Sequence, residues 1–161
     1  MSFTIRRARA ADADAVRALW EALHREHEAT DARYRLSEDA ALRWASDLRE
    51  WTRSDADRVL VAEQEGELVG LTVAHLMWPA PVYASHLMVW VDDFFVLSAH
   101  RGQGIGRALL DALRAWGREK GAEEIRAGVL ATNPGARRFW AGAGGVDYSV
   151  TVTLGLDPAD T

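Results

Sequence analysis

From Val16 onward, apolar side chains return every three or four residues: Val16, Leu19, Trp20 and Leu23, with His27 on the same face. That spacing predicts a helix within "AADADAVRALWEALHREHEA", capped by Asp12 or Asp14. "FTIRRAR" (Phe3–Arg9) predicts a short strand before it. After the polar break "TDARYRLS", a second helix is expected over Glu38–Trp51, with Leu42, Ala45 and Leu48 inward. "RVLVAEQEGELVGLTVAHLMW" is two β-rich runs around a turn at Glu65-Gly66, which predicts a hairpin. "PAPVYAS" interrupts, and "HLMVWVDDFFVL" predicts a long strand. Ile105, Leu109, Leu113 and Trp116 form one stripe of a helix over Gly104–Lys120 that Gly121 ends. "EEIRAGVL" predicts a strand. Asn133–Ala143 predicts a short helix with Asn133 as cap, Pro134 first and Gly144-Gly145 after it. "VDYSVTVTL" alternates strictly and is expected to close the domain as a strand. The order is β-α-α-β-β-β-α-β-α-β. Hairpin strands followed by a β-α-β unit predict an α/β (α+β) fold with a mixed, mostly antiparallel sheet.

Composition narrows the chemistry. The chain has 161 residues, 48% of them apolar, and no cysteine. It is long enough for one domain with a proper core, and it carries no disulfide, thiol nucleophile or cysteine-bound zinc. The N-terminal stretch has no apolar core of signal-peptide length, and no run approaches the ~20 residues of a membrane span. A cytoplasmic protein with no membrane partner is expected. The net charge of -5 is uneven. Residues 1–100 hold 11 arginines against 17 acids, whereas residues 101–140 hold 8 basic residues against 4 acids. The overall sign disfavours nucleic acid. A bound polyanion near 101–140 and a cationic partner elsewhere both fit, as do solvated helix faces.

The candidate chemistry centres on "VDDFFVLSAHRGQGIG". A helix N-terminus offers unpaired N–H groups and partial positive charge, and glycines let a phosphate come close. The phosphate-loop ATPase pattern is excluded because no Lys-Ser/Thr follows. The dinucleotide fingerprint is excluded by the G-x-G-x-G spacing and by the position after a hairpin. Arg101-x-x-Gly104-x-Gly106, set after "DDFFV", resembles the acyl-CoA loop of the GNAT superfamily of N-acetyltransferases. "NPGARRFW" resembles that family's second motif, and "VDDFFVLSAHRGQGIG" is most like the polyamine (spermidine/spermine) and small-amine acetyltransferases.

The resemblance implies a single acyl-CoA N-acyltransferase domain over 1–161, with a GNAT-like twisted sheet flanked by helices. It implies acetyl-CoA as cosubstrate, with no metal. Backbone groups of Phe94, Phe95 and Val96 would pair with the pantetheine arm. Gly102, Gln103, Gly104, Ile105, Gly106 and Arg107 would hold the pyrophosphate, with charge from Arg101. Arg137 or Arg138 would reach the ribose phosphate, and Asn133 and Ala136 would line the arm. For Arg107, Arg114 and Arg118 a solvated face fits equally well. Dimerisation is common in similar folds, and a homodimer through the final strand is expected here.

Acetyl transfer to an amine needs a proton acceptor, because an ammonium has no lone pair. It also needs a donor to the thioester oxygen, such as a backbone N–H near Val96. Asp92 and Asp93 stand where the family often has an acid. Strand alternation lets only one of them face the substrate unless a bulge intervenes, and the resemblance favours Asp92. The two could accept the proton, anchor a cation, or form salt bridges. Many relatives have a tyrosine where this chain has Trp140. An indole cannot protonate a thiolate, which leaves slow chemistry, Tyr83 or Tyr148 as substitute acid, or no chemistry. Trp140 then packs along the pantetheine arm.

Trp78, Tyr83, His86 and Trp90 flank the proline-containing bend beside the expected acceptor pocket, where they form either an aromatic lining or core. Trp20 and Trp116 read as packing. His24 and His27, with Glu28, lack an evident third metal ligand. The expected reaction is acetyl transfer to the primary amine of a small cationic molecule. The alternatives are a non-catalytic acyl-CoA-binding regulatory domain and an acetyltransferase of protein N-termini.

Overall fold

The computed structural model describes residues 2–84 and 86–156. Its contacts divide the chain into two compact units, residues 1–128 and 129–161. The first unit holds β1 (Phe3–Arg7), α1 (Ala13–Thr30), α2 (Ala40–Trp51), β2 (Asp57–Gln64), β3 (Glu67–Met77), β4 (Met88–Val96), α3 (Ile105–Glu119) and β5 (Glu124–Ala127). The strands form one sheet in chain order, antiparallel except for the parallel β4–β5 pair.

The β2–β3 hairpin turns where expected. Glu65 and Gly66 have φ of 53° and 84°, the two positive values that match the right-handed twist of the flanking strands. One face of the sheet carries α1 and α2, with Val16, Leu19, Trp20, Leu23, Trp44 and Leu48 packed on Val59, Val61, Leu71, Val73 and Phe95. The other face carries α3 through Ile105, Leu109, Leu110, Leu113 and Trp116. Burying each such leucine is worth about 2 kcal/mol. Glycine seats this helix closely: a Cβ at Gly70 would come 3.2–3.3 Å from Ala62, Ile105 and Leu109.

Two expectations from the sequence are corrected. Leu42 is not inward: it is 77% exposed, and Trp44 and Leu48 are the buried residues of α2. The register follows the larger apolar area, since Trp44 stacks on Trp20 with centroids 4.9 Å apart. The final alternating segment is not a strand. No strand is assigned over 146–156, and Val146, Val150, Val152, Leu154 and Leu156 are each more than 80% exposed. Alternation supplies an apolar face, but a strand also needs a neighbour for its backbone groups.

The second unit holds α4 (Pro134–Gly142). It begins as expected: Asn133 caps it by accepting the Ala136 N–H at 3.0 Å, and Pro134 follows. None of the described residues 129–156 is buried.

Candidate active site

The register of β3 and β4 decides where the two carboxylates point. Val73 pairs with Asp93 and Ala74 with Val91, so Asp92 is an extra residue in a bulge. Val73 and Phe95 lie in the core under α1 and α2. His75 shares their side by strand alternation, Trp90 opposes His75, and Asp92 lies two residues beyond Trp90. Past the bulge Asp93 opposes Val73 and faces that side again. The expectation that one of the pair faces away is therefore overturned: both carboxylates look toward α1 and α2.

Their surroundings differ sharply. Asp92 is half-exposed and doubly held. His75 Nε2 lies 3.0 Å from its Oδ2, and the Trp90 indole donates to its Oδ1 at 2.8 Å. The bond to His75 holds its pKa below the usual carboxylate range. Asp93 is buried, at 8% exposure. Burial first, and then the charge of Asp92, raise its pKa to about 7. His24 of α1 lies 4.0 Å from Asp93 Oδ1. Burial pushes the His24 imidazole down to about 4, and its Nδ1 is buried without a hydrogen-bond partner. Between about pH 4 and pH 7, neutral imidazole thus faces neutral acid.

Rings surround this pair. Tyr34, His27, His24, Trp20, Trp44, Trp51 and His75 follow one another with neighbouring centroids 4.5–6.2 Å apart. Beside His24 a cleft of about 440 Å³ opens between α1 and the start of α2, lined by Glu21, Arg25, Glu28, Arg35 and Glu38 among others. Among the described residues, no group of three or more His, Asp or Glu is arranged to hold a metal ion.

The glycine loop follows a short 3₁₀ turn, Ser98–His100. Gly102 and Gly104 have φ of 76° and 86°, and a Cβ at either would meet nothing within 4 Å. Their role is conformational, and they leave the helix start bare. The bonds of α3 begin with the Ala108 N–H to the Gly104 carbonyl at 3.0 Å. The N–H groups of Ile105, Gly106 and Arg107 therefore point out of the helix end, and no side chain caps it. This bare, donor-rich end fits a pyrophosphate. The loop is tied to β2 through buried Gln64, whose Oε1 lies 2.7 Å from His100 Nδ1. On the other side of β4, β5 pairs only from Met88 to Val91, short of Phe94, Phe95 and Val96.

Arg101 is occupied within the protein. Its Nη2 donates to both oxygens of Glu26 at 2.8 Å, its Nε donates to the Val96 carbonyl at 2.8 Å, and its guanidinium lies over the Phe95 ring. Arg107 pairs with Asp111 at 3.6 Å on the exposed side of α3. Gln103 lies 3.5 Å from the Gln64 amide.

The expected acceptor-side residues do not form one lining. Trp78 and Tyr83 are exposed. His86 pairs with Glu124 at 3.0 Å, and Trp90 alone reaches the acid pair. In the second unit Arg137 pairs with Asp147 at 3.1 Å, and Trp140 packs edge-on against Phe139. Tyr148 is exposed. Asp57 and His75 join the site only through the sheet register. The signal for His75 was present in "VAHL", a histidine interrupting an apolar strand.

The fold and the loop define an acyl-CoA-dependent transferase, and comparison with known proteins agrees. The sequence model of the acetyltransferase (GNAT) family matches residues 16–144. An uncharacterised N-acetyltransferase from Archaeoglobus fulgidus is 33% identical over 112 residues, 67% of this chain and 76% of that protein. The tetramutant of the BH1408 protein from Bacillus halodurans superposes with a TM-score of 0.86 at 26% identity, over 95% of this chain and 99% of that one. The aminoglycoside N-acetyltransferase AAC(6')-Iy, solved with a CoA bisubstrate analogue, shares the fold at 20% identity (TM-score 0.78, 98% and 99% covered). The chain belongs to the acetyltransferase (GNAT) family and is an acetyl-CoA-dependent N-acetyltransferase. No helix among its described residues is long and apolar enough to cross a membrane.

Proposed function

We propose that the acceptor is the primary amine of a small cationic molecule, polyamine-like or otherwise multiply charged, and that Asp93 takes its proton. The observation that carries this reading is the bulge that turns Asp92 and Asp93 to one face, one carboxylate fixed and ionised, the other buried and near neutrality. When bound, acetyl-CoA would supply an activated acetyl thioester, which the glycine loop and the backbone of Phe94–Val96 would hold.

The magnitudes favour Asp93 over its neighbour. A primary amine near pKa 10.4 lies about 6.5 pH units above an ordinary aspartate, a transfer of about 9 kcal/mol. Against a carboxyl at about 7 the gap falls to roughly 3.4 units, about 5 kcal/mol. Asp92, held ionised by His75 and Trp90, is the poorer base and the better anchor for an ammonium. The departing thiol has a pKa of ~8.5 when free, so a thiolate is a tolerable leaving group without a tyrosine at Trp140.

A homodimer belongs to the same reading. It is supported by the exposed apolar side of 146–156, which a second copy's sheet edge would cover. The test is CoA release from acetyl-CoA with a panel of polyamines, aminoglycosides, amino acids and peptides. Turnover confined to small polycations supports the reading. Turnover confined to peptides, or none with any amine despite acetyl-CoA binding, overturns it.

A further inference from the structure

Two adjacent carboxylates on one face would ordinarily share a proton with no fixed division of labour. Here the division is built into three strands. Asp57 of β2 opposes His75 of β3, which opposes Trp90 of β4, and Asp92 stands two residues further along the same face. His75 Nδ1 lies 2.6 Å from Asp57 Oδ1, and its Nε2 lies 3.0 Å from Asp92 Oδ2. Carboxylate oxygens 2.6 and 3.0 Å from its two ring nitrogens favour a proton on each, and they raise the affinity of His75 for its second proton. Trp51 of α2 closes over the ring at 5.1 Å. With Trp90 on its other oxygen, Asp92 has both oxygens engaged.

We propose that His75 is a positioning residue: gripped by Asp57, it keeps Asp92 ionised and fixed beside Asp93, so that Asp92 anchors the acceptor's ammonium and Asp93 takes the proton. This rests on the acceptor reading above and extends it to residues that do not touch the amine. Asp93 is faced by His24 from α1, by Asp92 on its own strand, by His75 from β3 and by Trp44 from α2, while Trp51 lies against His75. The Trp44 side chain first, and then the charge of His75, oppose the upward pull of burial on Asp93. Without His75 both carboxylates should hold protons more tightly.

The test is a carboxyl ¹³C NMR titration of the full chain labelled at aspartate, with Asp92→Asn and Asp93→Asn to assign the signals. In His75→Gln the Asp92 midpoint is expected to rise by about half a pH unit or more, and the Asp93 midpoint to rise with it. An unmoved Asp92 midpoint, in a variant with wild-type melting and acetyl-CoA affinity, overturns the proposal. Should that variant fail to fold, ¹⁵N NMR of the wild-type histidines decides. His75 is expected to be mostly doubly protonated at pH 6.5, and a neutral imidazole there is the overturning result.

With the amine turned over fastest in the panel, His75→Gln is expected to raise the KM for amine about tenfold and leave acetyl-CoA affinity unchanged. An unchanged amine KM sinks the anchoring role. The titrations need no acceptor, so they decide the clamp even when no amine is turned over, a result that would fell the acceptor reading instead.

Discussion

The glycine loop and the acid pair are neighbours along the chain and opposites in construction. The loop works with backbone: glycines at positive φ strip a helix end of side chains and leave its N–H groups outward. The acid pair works with side chains whose properties come from elsewhere. Asp92 is fixed by residues of β3 and β4, and Asp93 is set by burial under α1 and α2. The bare helix start is thus a local object, whereas the surroundings of the acid pair are assembled from four elements. Substitutions should therefore separate the two, with cofactor affinity failing at one and amine chemistry at the other.

The largest separation is expected from Asp93→Asn. Losing a general base typically costs 10²–10⁴-fold, so kcat/KM for amine should fall by that range while acetyl-CoA affinity holds. Equal losses in both would show that the pair is not functionally distinct from the loop. The pH dependence sharpens the same point. Wild-type kcat/KM should rise with pH through about 7, as Asp93 ionises. Stability should run the other way. The folded protein keeps the Asp93 proton up to about 7, whereas an unfolded aspartate releases it near 3.9. The group's contribution is therefore lost as pH rises between those values. Chemical denaturation across that window should show the decline in wild type and a flatter profile in Asp93→Asn.

Next comes Gly104→Ala. Forcing a Cβ into the left-handed region costs about 1–2 kcal/mol. If the loop shifts to escape it, calorimetry should show acetyl-CoA binding weakened about tenfold, with amine KM little changed. Asp92→Asn should be milder in kcat, raising amine KM about tenfold by steady-state kinetics. A larger effect than that of Asp93→Asn would reverse the roles assigned to the two carboxylates. The smallest change is expected from Trp140→Tyr. If the thiolate leaves without an acid, kcat should change less than about threefold. A gain of 10²-fold or more would show that the missing phenol limits the reaction.

The glycine loop was legible in the sequence because its signals are short-range. Glycine at Gly102 and Gly104, a preceding strand and a following amphipathic stripe are each fixed within a few residues. The hairpin at Glu65-Gly66 and the cap at Asn133 were legible for the same reason. Leu42 shows where periodicity fails. Two helical registers were available to α2, and the stacking of Trp44 on Trp20 chose between them. The segment over 146–156 shows a second failure, since an alternating pattern says which side is apolar and nothing about what pairs with it.

By itself, then, the sequence determined the order of elements through α4, the mixed α/β architecture and the bare, glycine-flanked start of α3. It also placed two aspartates at the strand that precedes it. Only the tertiary structure decided what those aspartates are. One extra residue in β4 turned both to the same face, a histidine from β3 fixed the first as an anion, and packing under α1 and α2 brought the second to near-neutral affinity for its proton. The physical reason is range. Backbone conformation depends on adjacent residues, whereas register, burial and the electrostatics that follow from them depend on residues far apart in the chain.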